Sequence, residues 1–399
     1  MGRDPDDSPF TPGFGNLPRV IAGRKDEFHD LERMTARLAR GIYQQPRLVT
    51  GDRGMGKTVM LRALEREQLE VGRWVVRSSA TRGDAIVGRL CRDLASLLYE
   101  HDLAEALKQT GREALRRLAG LSISSRGVRA DVEPASRADR ADDLERLLAA
   151  VAELADEQDT VLLLLIDEAQ NIELGALGDL FHALQEVQGV VIDERDPDTG
   201  ALQRRSLPLG AVVAGLPGLV RRLKDAGSTF GERSRPVPLR AFTEADMREG
   251  LPALAEEGGA AFDADALEAV MDACGGYPYF LHVVGDQVWA AGRGTVITVE
   301  DARRGIVRAQ PLVEEFYAAR LRDLGDLQRR YLHAAARLEP RERTPGTISE
   351  ALGRTSAKLA STQQKLVHDH GLLRTGGDGR VEFALPGLDR HLREHPPPA

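Results

Sequence analysis

Apolar and polar positions change period several times along the chain, and each change marks an element. From Glu27 to Gly41 apolar residues fall at Phe28, Leu31, Met34 and Leu38, a helical spacing closed by a glycine. Pro46 to Thr50 is a short β-type run leading into glycines, Thr58 to Gln68 returns to helical spacing, and Arg73 to Ser78 is β-like again. That is the β-loop-α-β unit that parallel sheets require. Asp142 to Leu154 reads as an amphipathic helix ahead of Val161 to Ile166, a continuous apolar run suited to a strand buried on both faces. A helix over Gly175 to Gln188, a charged loop from Asp193 to Arg205 and a third strand over Leu209 to Ala214 complete the alternation. The pattern implies a doubly wound α/β domain with a parallel sheet to about residue 240.

Beyond Thr243 the period is helical only, to about Val307, with turn signals at Gly258-Gly259 and Gly275-Gly276. Helices are expected over Leu321 to Leu338, Thr347 to Leu352 and Ser356 to His370. Two β-like runs then follow, Leu372 to Thr375 and Val381 to Leu385, separated by Gly-Gly-Asp-Gly, a hairpin signal. Three helices and a hairpin make a winged helix the leading arrangement. Leu121 to Arg140 is polar and reads as a surface excursion, and the Pro- and Gly-rich first residues read as a tail or extended arm.

Composition narrows the classes. With 42% hydrophobic and 29% charged residues, the chain has apolar surface enough to order most of its length. No run of about 18 apolar residues occurs and the first residues are acidic, so neither a membrane span nor a leader is expected, and the chain is placed in the cytoplasm. Cys91 and Cys274 lack zinc-type spacing and are expected as core thiols. The net charge of −8 argues against a surface coated in nucleic acid, although residues 325–399 carry a slight basic excess of +3.

Gly51-Asp52-Arg53-Gly54-Met55-Gly56-Lys57-Thr58 matches the phosphate-loop pattern in full, between a strand and a helix. Glycines let successive backbone N–H groups turn inward around a phosphate, and the following helix N-terminus adds partial positive charge. Lys57 is expected to supply charge to the β and γ oxygens of ATP, and the Thr58 hydroxyl to ligate Mg2+. The strand ending at Asp167-Glu168 supplies the partner, with Asp167 toward the metal and Glu168 toward an attacking water.

With these two motifs in place, the chain resembles the AAA+ superfamily, specifically bacterial relatives of origin-recognition and STAND-type ATPases. The resemblance implies an AAA+ α/β core over residues 20–240, an α-helical lid over 241–310 and a winged helix over 320–395, behind a flexible arm of residues 1–19. It implies that Ile21, Gly23 and Arg24 pack near the adenine, and that Pro278 in Gly275-Gly-Tyr-Pro lies against the nucleotide. Arg233 and Arg235 fall where the family often places an arginine finger, which completes a neighbouring subunit's site and so implies a homo-oligomer. The chain departs from the family where the third strand ends in Ala214-Gly215-Leu216-Pro217 without a polar side chain, and where Tyr279 to Trp289 has no arginine. Those losses imply slow hydrolysis. On the winged helix, Lys358, Thr362, Gln363 and Lys365 with Arg374 and Arg380 suit duplex DNA, while a protein partner or an autoinhibitory role stays open. Three functions follow: an ATP-controlled regulatory switch, an origin-recognition-like DNA-binding ATPase or loader, and a nonhydrolysing ATP-bound scaffold. A P-loop kinase is disfavoured, since no acceptor site is visible and the lid and winged helix would be unexplained.

Overall fold

The structure is a computed structural model and describes residues 2–13, 15–83, 85–101, 106, 111, 121–124, 127–130, 137–195 and 200–396. Helix α1 (Lys25–Leu38) buries Leu31, Met34 and Leu38 and leads to β1 (Arg47–Thr50). There follow α2 (Lys57–Glu70), β2 (Trp74–Ser79), α3 (Ile86–Glu100), a short hairpin of β3 (Leu121–Ser124) and β4 (Gly127–Ala130), α4 (Arg137–Glu157) and β5 (Leu162–Asp167). The hairpin lies in the stretch read as a polar excursion, of which residues 125–126 and 131–136 fall outside the described ones. After α5 (Leu174–Gln188) come β6 (Val191–Arg195), β7 (Leu202–Ser206) and β8 (Leu209–Gly215), then α6 (Leu219–Asp225), α7 (Phe230–Arg233) and β9 (Arg235–Pro238). The charged loop expected over Asp193 to Arg205 is thus largely an antiparallel hairpin. Its register sets Asp193 opposite Arg204 at 3.1 Å, a cross-strand charge pair that periodicity alone does not reveal.

The main sheet is parallel, in the order β2-β5-β8-β1-β9. Strand β8 lies between β1 and β5, so the carboxyl ends of three neighbouring strands, at Thr50, Gly215 and Asp167, share one edge. Ligand sites in open parallel sheets form at that edge. Along β5 the side chains divide between two cores: Leu163 and Leu165 join the one that continues into the lid, and Leu162, Leu164 and Ile166 join the one beneath α3, α4 and α5. Burial on both faces is what the unbroken apolar run required.

The lid comprises α8 (Glu244–Glu257), α9 (Ala264–Cys274), α10 (Pro278–Trp289) and α11 (Val299–Leu321), with Thr243 and Thr298 closing capping boxes on α8 and α11. Short parallel strands β10 (Ala261–Phe262) and β11 (Val296–Ile297) tie its turns together. Helix α11 runs through the expected boundary between 310 and 320, carrying Pro311 inside it. The chain breaks instead at Arg322–Gly325, before α12 (Asp326–Arg337), α13 (Pro345–Ala351) and α14 (Ser356–His368). The hairpin of β12 (Leu373–Thr375) and β13 (Val381–Phe383) and a further helix, α15 (Leu388–Glu394), complete the chain. The three-helix-plus-hairpin order matches the sequence reading, whereas α15 was not foreseen. It packs back on α12, where Arg393 Nη1 donates to the Ala336 carbonyl at 2.8 Å.

The first residues are not a loose arm. Arg3 is buried and pairs with Asp301 at 2.5 Å, Trp289 Nε1 donates to the Asp4 carbonyl at 2.7 Å, and Phe10 fills the space left by Gly285. The stretch was read as a tail because it has no period. Its anchors are single side chains dropped into lid pockets, which no period would show.

Candidate functional site

A cleft of about 390 Å³ opens between the α/β core and the lid, within the range of ligand sites. Its floor is the loop between β1 and α2. Gly54 and Gly56 take left-handed φ of 84° and 88°, and a Cβ on Gly54 would meet the Tyr277 hydroxyl at 2.8 Å. Only glycine fits that turn without strain. Lys57 begins α2, 5% exposed, and its ammonium donates to the carbonyls of Gly51 at 2.8 Å and Asp52 at 2.9 Å. Burial pulls Lys57 down to about 8, against the nearby carboxylates of Glu168, Asp167 and Asp52. A buried cation on a glycine-rich turn at a helix N-terminus suits a polyanion.

The Thr58 hydroxyl donates to Asp167 Oδ2 at 2.7 Å, and Asp167 Oδ1 accepts the Glu168 N–H at 2.8 Å. Burial raises the Asp167 carboxyl from its usual range, opposed by the hydrogen bonds from Thr58 and Glu168. Thr58 and Asp167 therefore present two adjacent oxygens that fit Mg2+, with phosphate and water completing its shell. Among the described residues no group of three His, Cys, Asp or Glu side chains could hold a metal by itself.

The structure brings Arg53 to Thr58, Glu168, Pro278, Ile21 and Arg24 to one cleft. Arg24 acts there as a strut: buried against the Phe242 ring at 4.7 Å, it donates to the carbonyls of Arg240 at 2.7 Å and Met55 at 3.3 Å. Burial lowers its pKa, and Glu27 opposes the shift. Gly23, Gly51 and Asp52, also expected at the nucleotide, do not line the cleft. Gly23 has a left-handed backbone at φ 62°, and a Cβ there would meet the Phe242 ring at 2.7 Å. Gly51 contributes its carbonyl to Lys57 beneath the cleft floor. The Asp52 side chain points out of the cleft and pairs with Arg374 Nε of β12 at 2.8 Å. Burial raises the Asp52 carboxyl, and Arg374 opposes that rise.

Arg233 and Arg235 do not reach this cleft. Both are exposed, and Arg235 Nη2 lies 3.2 Å from Asp30. A cation reaches the cleft from another quarter: Arg320, near the end of α11, lines it with its guanidinium over the Phe316 ring at 4.7 Å. Burial, and behind it Arg53, lowers the Arg320 pKa, opposed by Tyr277, Tyr279 and Glu168. No local motif marks Arg320, since its approach depends on α11 continuing past the boundary drawn from sequence. The first residues also contribute. Thr11, Gly13, Gly15 and Asn16 line the cleft, and Arg62 Nη1 donates to the Gly15 carbonyl at 2.5 Å.

The C-terminal module docks against this apparatus. Besides Arg374 on Asp52, Arg221 Nη1 donates to Gln364 Oε1 at 3.0 Å, and a Cβ on Gly218 would come within 2.7 Å of the His368 carbonyl oxygen. Two expectations for α14 and the hairpin change accordingly. Thr362 is buried, and Arg374 is engaged by the phosphate loop, while Lys358, Lys365 and Arg380 stay exposed and Gln363 is half-buried. Tyr277 ties the lid to the same loop by donating to the Arg53 carbonyl.

The family model described as "AAA ATPase domain" matches residues 20–192. Over those residues the chain is similar to the AAA ATPase domain family. The match spans the phosphate loop, β5 and the Asp167-Glu168 pair. A second model, described as a domain of unknown function, matches residues 314–392. No curated protein matches the chain. Among solved structures, the Aeropyrum pernix ORC2 protein in its ADP form is 13% identical, with 96% of this chain and 97% of that chain covered at a TM-score of 0.52. The Aeropyrum pernix ORC1 protein in complex with DNA is 16% identical over 95% and 94%, at 0.45. The Thermotoga maritima RuvB Holliday junction branch migration motor is 15% identical over 94% and 96%, at 0.43. The likeness to ORC2 establishes the fold alone. Among the described residues, no helix is long and apolar enough to cross a membrane.

Proposed function

We propose that the chain is an ATP-binding, Mg2+-dependent ATPase of origin-recognition-like architecture, whose nucleotide state governs the C-terminal module. The observation that carries the reading is the convergence of Lys57, the Thr58–Asp167 pair and Glu168 on one cleft of ligand size. In it, Lys57 and the glycine-turned backbone hold the phosphates and Glu168 accepts a proton from the attacking water. Arg320 brings lid charge toward the reacting end. Mg2+, held through Thr58 and Asp167, would neutralise phosphate charge. The full-length likeness to the ORC2 fold, C-terminal module included, favours this architecture over a stand-alone switch. Exposed Lys358 and Lys365 on α14 support duplex DNA as the partner.

The test is ATP turnover and nucleotide affinity of the wild type beside Lys57→Ala and Glu168→Gln, with and without duplex DNA. Turnover should vanish in both variants while Glu168→Gln keeps ATP. DNA binding should weaken with salt and fall in the Lys358→Ala/Lys365→Ala double variant. Tight ATP binding without turnover in the wild type would move the assignment to an ATP-bound scaffold. Salt-insensitive or absent DNA binding would move the partner to a protein.

A further inference from the structure

A base on a flexible glutamate needs aiming, and the end of β8 offers no polar side chain for the purpose. The structure fills that place from elsewhere. Directly after β5, Glu168 takes a left-handed backbone conformation at φ 53° and opens the 3-10 turn Ala169–Asn171. Such a conformation is uncommon for a residue with a Cβ and is held by its surroundings. Here Asp167 Oδ1 accepts the Glu168 N–H, and Asn171 Nδ2 donates to the Ala80 carbonyl at 3.0 Å. The turn swings Gln170 back beside Glu168. Its Nε2 donates to Glu168 Oε2 at 2.5 Å, and its Oε1 accepts the Leu216 N–H at 3.0 Å. Chemistry fixes the orientation of this amide: an ionised carboxylate only accepts and a backbone N–H only donates, so a flip would lose both bonds. Gly215 makes the room, since a Cβ there would stand 2.9 Å from Gln170 Oε1.

We propose that Gln170 is the positioning residue for Glu168, carrying from the turn after β5 the orienting role that the end of β8 lacks. The inference rests on the reading of Glu168 as the base. One amide N–H restrains Oε2 and leaves the other carboxylate oxygen for water, while the Leu216 N–H anchors the amide to the sheet edge. Because Gln170 does not line the cleft, its loss acts on kcat and leaves ATP affinity alone.

The experiment measures kcat, KM and ATP affinity from pH 6 to 9 for the wild type, Gln170→Ala and Gln170→Glu, with Glu168→Gln as the reference for a lost base. Gln170→Ala should lower kcat roughly 10- to 100-fold at unchanged affinity, the scale of a misaimed catalytic group. Gln170→Glu keeps an acceptor for Leu216 but sets a second carboxylate on Glu168. Two such groups share a proton, so its kcat should drop and its pH profile should shift from that of the wild type. A residue that merely braces β8 would leave Gln170→Glu with the wild-type profile. That result, wild-type kcat in Gln170→Ala, or a loss of ATP affinity in Gln170→Ala would each overturn the proposal. Absence of turnover in the wild type is a separate failure, that of the ATPase reading, and would remove the proposal with it.

Discussion

Binding of ATP should draw a proton onto Lys57, and the number taken up can be worked from the structure. The ammonium is almost wholly buried and its two hydrogen-bond partners are backbone carbonyls, so burial pulls it down to about 8 from the usual 10.5. That difference disfavours the charged form by about 3 kcal/mol. A phosphate beside the ammonium supplies the missing charge and returns it to full protonation. At pH 8 about half of the free molecules then hold Lys57 neutral, and a terminal phosphate that titrates near pH 6 brings no proton of its own. Uptake is therefore about half a proton per site at pH 8 and nearly one at pH 9, and affinity falls as the pH rises through about 8. Calorimetry of MgATP binding in buffers of different ionisation enthalpy reads the number as a slope. Lys57→Arg keeps its charge throughout and should give a flat pH dependence. Binding with zero slope at pH 8 would refute the reasoning, for Lys57 would then be charged without a ligand, its carbonyls and neighbouring carboxylates having offset the burial.

Other consequences follow from the contacts between modules. A double-mutant cycle on Arg374→Ala and Asp52→Asn should give a coupling of about 1–2 kcal/mol, between the exposed and buried limits because the Arg374 side chain is 40% exposed and that of Asp52 7%. Denaturant titration measures it, and a coupling near zero would remove any part for this pair in docking. Arg3→Ala should destabilise the protein by about 2–3 kcal/mol by breaking a buried pair, with Asp301 left to Arg304. A scan that shows no drop in thermal midpoint would place the anchor elsewhere. Burial draws His282 down to about 4, and its Nδ1 accepts the Thr11 N–H at 3.3 Å. Its contribution is complete above pH 6.5 and is lost as the pH falls from there toward 4, so proteolysis within residues 2–13 should accelerate across that window. His282→Gln should flatten the response, and equal cleavage of both proteins at every pH would sink the idea.

Much of the nucleotide cleft was written in local sequence. Residues Gly51 to Thr58 form a cradle because glycine spacing and the following helix are properties of contiguous chain, and Asp167 and Glu168 were found at the end of an apolar run whose burial on both faces fixes it inside a parallel sheet. Only the tertiary structure decided what surrounds them. Asp52 and Arg374 lie 322 positions apart, Arg3 and Asp301 298, and pairs of that separation leave no trace in a hydrophobic period. Arg320 arrives because α11 does not stop where the helical period was expected to end, and Gln170 reaches Leu216 because a left-handed Glu168 turns the chain back on itself. Period and motif encode what a segment forms and which chemistry it carries. Which side chains meet across segments is set by the packing of whole elements, and that was settled only when the lid, the first residues and the C-terminal module closed on the sheet edge.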